Sequence, residues 1–226
     1  MVQFLISLFT EKKCFSCYKL GRFFCLECNK TMVKYEPYCY ICKWKSDNFY
    51  VHNDCQKHFP LKQVIVLTRY RNRGVQKLLK SAKYYNMYPA YRDIIYANID
   101  FFKKYVHKQN ALLIPVPMYF IRRWKRWYNQ SEKIAQNLSE VCWIPVNNKF
   151  LMRSRHTKQQ SHLSQNERAQ NLSWVFKTQN ESTVDKNSTI YLIDDVISTG
   201  STVWEIALYL HKCGYKNIRA IVLASD

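Results

Sequence analysis

No apolar run in the 226 residues approaches the roughly 18–20 residues of a membrane-spanning helix, so no bilayer span is expected. Glycine is scarce, four in all, and none of it gathers into a Gly/Ser linker, so any domain boundary is tight. Acids are few: 16 Asp and Glu face 35 Lys and Arg, a formal net charge of +19. The excess is spread along the chain, with 10 basic against 5 acidic residues in 1–62 and 25 against 11 in 63–226. That balance predicts a polyanionic partner, nucleic acid first and an anionic membrane surface second; general basicity serving solubility is the alternative. The opening Val2 to Phe9 lacks a basic n-region and runs into Lys12, Lys13 and a cysteine pair. It reads as a short packing helix, with Phe4, Leu5, Leu8 and Phe9 at helical spacing, and not as a signal peptide. A chain that is not secreted uses cysteine for metal sooner than for disulfides. With 47% hydrophobic residues, it is expected to fold rather than stay disordered.

Seven of the nine cysteines and one histidine fall into four pairs: Cys14-x2-Cys17, Cys25-x2-Cys28, Cys39-x2-Cys42 and His52-x2-Cys55. In a Cys-x-x-Cys knuckle both sulfurs can turn to one ion, and two knuckles complete the closed tetrahedron of structural zinc. Sequential pairing gives an all-cysteine site and a three-cysteine, one-histidine site, about two zinc ions in all; interleaved pairing fits the spacing as well. Neither site leaves a position for water, so both are read as structural. His52 is the least certain ligand, because a surface histidine is the alternative and His58 follows six residues on. Cys142 and Cys213 stand apart and are read as single buried thiols.

From about Gln63 apolar segments alternate with short polar links. Strands are predicted at Val64 to Thr68, Ala111 to Val116, Ile190 to Ile193 and Ile218 to Ala224. Helices are predicted at Val75 to Lys83 and Ser131 to Val141, with a third after residue 200 stopped by Gly214. The alternation predicts an α/β fold with a largely parallel sheet over 63–226 and a zinc-binding, cysteine-rich region over 1–62. Asp194 and Asp195 follow the third strand, where ligands bind in open α/β sheets, and precede the small-residue loop Ser198, Thr199, Gly200, Ser201 and Thr202. Two acids suit vicinal hydroxyls or Mg²⁺, Gly200 admits an oxyanion, and a helix starting near Thr202 aims its N-terminal dipole at a phosphate. An acidic turn before a capped helix is the plain alternative.

Two further segments mix basic and aromatic residues. Residues 69–92 carry Arg69, Arg71, Arg73, Lys77, Lys80, Lys83 and Arg92 among five tyrosines and no acid. Residues 119–128 hold Arg122, Arg123, Trp124, Lys125, Arg126 and Trp127. Cations there suit phosphates and rings suit unpaired bases; the alternative is a helix face whose rings pack inward.

The loop at 190–202 resembles the 5-phosphoribosyl-1-pyrophosphate (PRPP) motif of type I phosphoribosyltransferases, and the whole chain resembles the ComF (ComFC) family of competence proteins. The cysteine pairs carry the resemblance together with Ile114-Pro115-Val116-Pro117 and Arg126-Trp127-Tyr128-Asn129-Gln130. So do Thr157-x2-Gln160-x2-Leu163-x4-Arg168-x2-Asn171-x4-Phe176 and Leu192 to Thr202. Two departures stand out: Trp127 occupies a position where the family pattern has glycine, and His52 replaces a cysteine often found there.

The resemblance implies a type I phosphoribosyltransferase-like domain in which Asp194 and Asp195 engage ribose hydroxyls and Ser198 to Thr202 hold the 5′-phosphate. It further implies that Pro115, Val116 and Pro117 face pyrophosphate and Mg²⁺, with Thr157, Gln160 and Arg168 on a flap over the site. The expected role is handling of single-stranded DNA in natural transformation, in the cytoplasm or beside the uptake and recombination machinery at the inner membrane. An active phosphoribosyltransferase, using Asp194 and Asp195 in catalysis, is the rival expectation. No segment specifies a nucleobase acceptor. A zinc-finger regulator is the weakest reading, since the array lacks a recognition-helix pattern.

Overall fold

The computed structural model describes residues 11–57, 59–118, 128–153, 175–179 and 183–226. Its centre is a four-stranded sheet of β1 (Gln63–Arg69), β2 (Ala111–Pro115), β5 (Thr189–Ile197) and β6 (Asn217–Ser225), in the order β1-β6-β5-β2. All three pairings are parallel, as the alternation of apolar strands and helices predicts. Parallel strands buried on both faces read as continuous apolar runs, which is why these segments stand out in the sequence.

The period of two splits the strand side chains into two cores. Ile65, Leu67, Leu113, Tyr191, Ile193, Ile221 and Leu223 face α3 (Arg73–Tyr85), α4 (Pro89–Tyr96), α5 (Ile99–Tyr105) and α6 (Gln130–Cys142). Val64, Val66, Ile114, Ile190, Leu192, Ala220 and Val222 face α7 (Ser201–Lys212) and a hairpin of β3 (Leu151–Arg153) with β4 (Phe176–Thr178). Asn72 caps α3 by accepting the Val75 N–H at 3.1 Å, and the helix ends on left-handed Asn86.

The cysteine-bearing segment, with its short helices α1 (Leu26–Lys30) and α2 (Asn53–Gln56), contributes to both cores. Phe23, Phe24, Met32 and Phe49 join the first, and Tyr40, Val51, Phe59 and Leu61 the second. Polar ties cross the same seam: Phe23 N–H donates to Asp93 Oδ2 at 2.6 Å, and Asn29 Nδ2 to the Ala97 carbonyl at 2.9 Å. Gly74 is required there, since a Cβ on it would sit 2.8 Å from Ser16 Cβ.

Three expectations need correction. The third strand does not stop at Ile193 but runs to Ile197, because β6 stays paired beside it through Ile197↔Ser225. The following helix starts at Ser201, one residue before Thr202. Cys142 is buried, but Cys213 is only half-buried, because it caps the exposed C-terminal end of α7. The Val2 to Phe9 helix, His58, the 119–127 segment and the Thr157 to Arg168 flap lie outside the described residues. Among the described residues no helix is long and apolar enough to cross a membrane.

Candidate functional site

Pairing of β2 with β5 ends at Pro115↔Ile193, and the Val116 N–H closes the ladder on the Ile193 carbonyl at 2.9 Å. Beyond that point β5 continues alone on its β2 side, so Asp194 and Asp195 lie past the carboxyl end of the neighbouring strand. Asp194 is half-buried; its Oδ1 accepts from Ser131 Oγ at 3.0 Å and from the Asp195 N–H at 2.9 Å. Burial, and then the charge of Asp195, push the Asp194 carboxyl up to about 7, against the opposing pull of the two donors and Lys83. Asp195 is 8% exposed, and its Oδ1 accepts the Val196 N–H at 2.8 Å. Among the described residues these bonds fall on Oδ1 of each acid.

The loop after β5 offers donors that suit an anion. Gly200 has φ +74° and is the N-cap of α7, a conformation that costs most other residues energy. The first-turn N–H groups of α7 have no acceptor inside the helix and carry its positive dipole end. Thr199 Oγ1 donates to Ser201 Oγ at 3.1 Å, holding two hydroxyls beside those donors. Asp194 and Ser198 to Thr202 line one small open cleft of about 50 Å³, room for a few waters or a small anion. A larger open cleft of about 740 Å³ is lined by other residues, among them Glu36, Lys45, Asp47 and Lys104, and mixes charges with no convergent donors.

Pro115, Val116 and Pro117 sit at the exit of β2, tied to α6 by Asn129. Asn129 Nδ2 donates to the Val116 carbonyl at 3.1 Å while its Oδ1 accepts the Ser131 N–H at 3.1 Å. One side chain thus caps α6 and fixes the turn, and Ser131 in that first turn holds Asp194. Sequence reading did not assign Ser131 a role; its signal was only an Asn-x-Ser run at a helix start.

The cysteines close into two clusters by sequential pairing. Cys14, Cys17, Cys25 and Cys28 form one, and Cys39, Cys42, His52 and Cys55 the other, each with all donor atoms within 4.8 Å of one another. A Zn–S distance of about 2.3 Å implies sulfurs about 3.8 Å apart in a tetrahedron, so the spacing fits zinc. Cys17 and Cys25 sulfurs lie 3.6 Å apart, and His52 Nδ1 lies 3.2 Å from Cys42 Sγ. The other ring nitrogen, His52 Nε2, is 3.2 Å from the Lys45 carbonyl, the partner that orients a ligating imidazole. His52 therefore joins the three cysteines as a group that could hold a metal, although it is exposed. Both clusters are closed, consistent with structural zinc.

The basic segment at 69–92 divides. Arg71, Arg73, Lys77 and Lys80 are exposed along α3, as are Tyr84 and Tyr85, whereas Tyr91 is fully buried. Lys77 Nζ meets Tyr18 Oη at 3.0 Å, which brings the first knuckle alongside this face. Tyr128, at the end of the second basic segment, packs inward, its ring 5.3 Å from Tyr88 and its hydroxyl donating to the Ala82 carbonyl. For Tyr91 and Tyr128 the inward-packing alternative is the observed one. Arg122, Arg123, Trp124, Lys125, Arg126 and Trp127 lie outside the described residues.

No family model matches the chain. It is 35% identical over 102 residues to DNA utilization protein YhgH of Escherichia coli K12, covering 45% of this chain and 44% of that protein. Among solved structures, adenine phosphoribosyltransferase from Leishmania tarentolae aligns with a TM-score of 0.33 and 18% identity, over 67% of this chain and 75% of that one, too slight a likeness to argue from. The decisive similarity is to Competence protein F of Haemophilus influenzae, 33% identical over 209 residues, 88% of this chain and 89% of that protein. A match of that extent, joined to the paired cysteine clusters and the acidic strand with its small-residue loop, makes this chain a member of the Competence protein F (ComF) family.

Proposed function

We propose that this chain handles single-stranded DNA during natural transformation and holds PRPP, or a closely related sugar phosphate, in the Asp194 to Thr202 cradle. The observation that carries the phosphate half is that Asp194 and the Gly200 turn at the start of α7 line one cleft, with Asp195 next to Asp194 on β5. Asp194 and Asp195 accept from ribose hydroxyls, and the N–H groups from Gly200 onward hold the 5′-phosphate. Pro115, Val116 and Pro117 border the pyrophosphate end; Thr157, Gln160 and Arg168, expected from the family resemblance to serve the same ligand, lie outside the described residues. Mg²⁺ accompanying PRPP would offset its phosphate charge, and a hard cation that keeps most of its waters would ask for few protein carboxylates, with Asp194 and Asp195 at hand.

The DNA half is supported by the printed names of the relatives, Competence protein F and DNA utilization protein YhgH, and by the charge of +19. Exposed cations and tyrosines along α3, with the Arg122 to Trp127 segment, supply phosphate contacts and stacking surfaces. The chain works in the cytoplasm or on the cytoplasmic side of the inner membrane, where incoming strands meet the uptake and recombination machinery. Calorimetric titration with PRPP and Mg²⁺, run with and without a single-stranded oligonucleotide, tests both halves at once.

Transfer of ribose 5-phosphate to a nitrogenous acceptor is the second reading, and one observation favours it. A carboxyl raised to about 7 exchanges protons readily at neutral pH, which suits Asp194 to acid–base work beside a reacting sugar. Pyrophosphate released in the presence of a purine, pyrimidine or orotate would establish transfer, and silence across that panel leaves binding as the role.

A further inference from the structure

Tyr40 stands between the metal-ligand candidates Cys39 and Cys42 and reaches into the phosphate loop. Its hydroxyl donates to the Ser198 carbonyl at 2.9 Å, across 158 residues of sequence. Its ring lies against Gly200, where an added Cβ would come within 3.1 Å of Tyr40 Cε1. Lys43 Nζ sits 3.9 Å from the centre of the same ring. Tyr40 is 6% exposed and Cys39 fully buried, both in the core beneath α7. The knuckle's own turn, Cys39 N–H to the Trp44 carbonyl at 2.8 Å and Lys43 N–H to the Cys39 carbonyl at 2.9 Å, fixes where the ring points.

We propose that Tyr40 is a positioning residue through which the metal at Cys39, Cys42, His52 and Cys55 holds the Ser198 to Thr202 loop in its anion-binding form. The inference rests on the phosphate-cradle reading above and adds what governs it. A filled second cluster fixes the knuckle, the knuckle fixes the ring, and the ring fixes the Ser198 carbonyl and the space over Gly200. An emptied cluster frees the knuckle, and the loop loses its brace. The coupling is reciprocal, so an anion bound to the loop also tightens metal binding at this cluster and not at the Cys14 cluster.

Three proteins test this: wild type, Tyr40→Phe, which keeps the ring and drops the hydroxyl, and His52→Ala, which removes one ligand of the second cluster. Metal analysis should find two zinc ions in the first two and one in the third; brief chelation of folded wild type, with the remaining zinc counted, depletes metal without a substitution. Hydrogen exchange over residues 196–204 is the first readout, and PRPP affinity with Mg²⁺ the second. Both Tyr40→Phe and metal depletion should speed exchange in that segment and weaken PRPP about three- to tenfold, the worth of one hydrogen bond. Depletion should add little in the Tyr40→Phe background. Exchange in Tyr40→Phe equal to wild type, or depletion acting equally in both backgrounds, overturns the proposal. If wild type binds no PRPP, the cradle reading fails, while exchange still decides whether the cluster governs the loop.

Discussion

Ser131 Oγ donates to Asp194 Oδ1 across 3.0 Å, so the first turn of α6 holds the first acid of β5. That bond favours the ionised carboxyl, whereas burial and Asp195 favour the neutral one, and the balance lies near neutrality at about 7. Ribose hydroxyls are bound best by an ionised acceptor. PRPP affinity should therefore fall as pH drops through about 7, and Ser131→Ala should move that fall to higher pH. Calorimetry from pH 6 to 8.5 checks this, and a midpoint unmoved by the substitution would show that the bond does not tune Asp194.

The same carboxyl affects stability in a defined direction. Its folded pKa is raised from the ordinary 3.8 to about 7, so between those values the folded chain binds more protons than the unfolded one. Stability from this group therefore falls as pH rises through that window and is lowest above it. Asp194→Asn, which cannot ionise, should be more stable than wild type at pH 8 by ~1–3 kcal/mol, and by less than half of that margin at pH 5. Urea unfolding at the two pH values checks the sign; a variant less stable at pH 8 would place Asp194 in a compensated network.

Two zinc ions per chain are expected, one in each closed cluster of four ligands. Cys14→Ser should retain only the second ion. Because Phe23 and Phe24 sit in the core beneath α3 and α4, the variant should also loosen those helices more than the β5–β6 pairing. Metal analysis with hydrogen exchange resolves this, and wild type holding one ion or none would overturn the clusters as metal sites.

Much of this arrangement is legible in the sequence, for identifiable reasons. Val64 to Thr68 and Ile218 to Ala224, with Arg219 the one charge in those segments, match β1 and β6 within a residue at either end, because strands buried on both faces read as apolar runs. Ile190 to Ile193 undershoots β5, since Asp194 and Asp195 look like an end although β6 keeps them paired. Helices α4 and α5 carry no predicted counterpart, since at eight and seven residues they span about two turns. The β3–β4 hairpin joins three-residue strands far apart in the chain, too short for alternation to register. Tyr40 was invisible for another reason: its partners, Ser198 and Gly200, lie about 160 residues away, and no local pattern encodes a contact that the fold alone creates.

Single-stranded DNA should bind with little sequence preference and steep salt dependence. Replacing Arg122, Arg123 and Arg126 by Ala should weaken binding and flatten the salt slope by up to ~0.7 per lost phosphate contact. Trp124→Ala, Trp127→Ala or the pair Tyr84→Ala and Tyr85→Ala should instead erode the preference for single strands, each stacked base contributing about 1–3 kcal/mol. Fluorescence titrations of single-stranded and duplex oligonucleotides at several salt concentrations separate the two effects. Equal affinity for both forms, or none at low salt, would leave the basic surface without a DNA role.

The central claim is the phosphate cradle, and calorimetric titration of PRPP with Mg²⁺ into wild type and into the Asp194→Ala, Asp195→Ala double variant tests it most directly. The account predicts one binding site per wild-type chain and its loss in a variant that keeps both zinc ions and a cooperative unfolding transition. Wild type that binds no PRPP, or a folded double variant that binds it with wild-type affinity, would contradict the account.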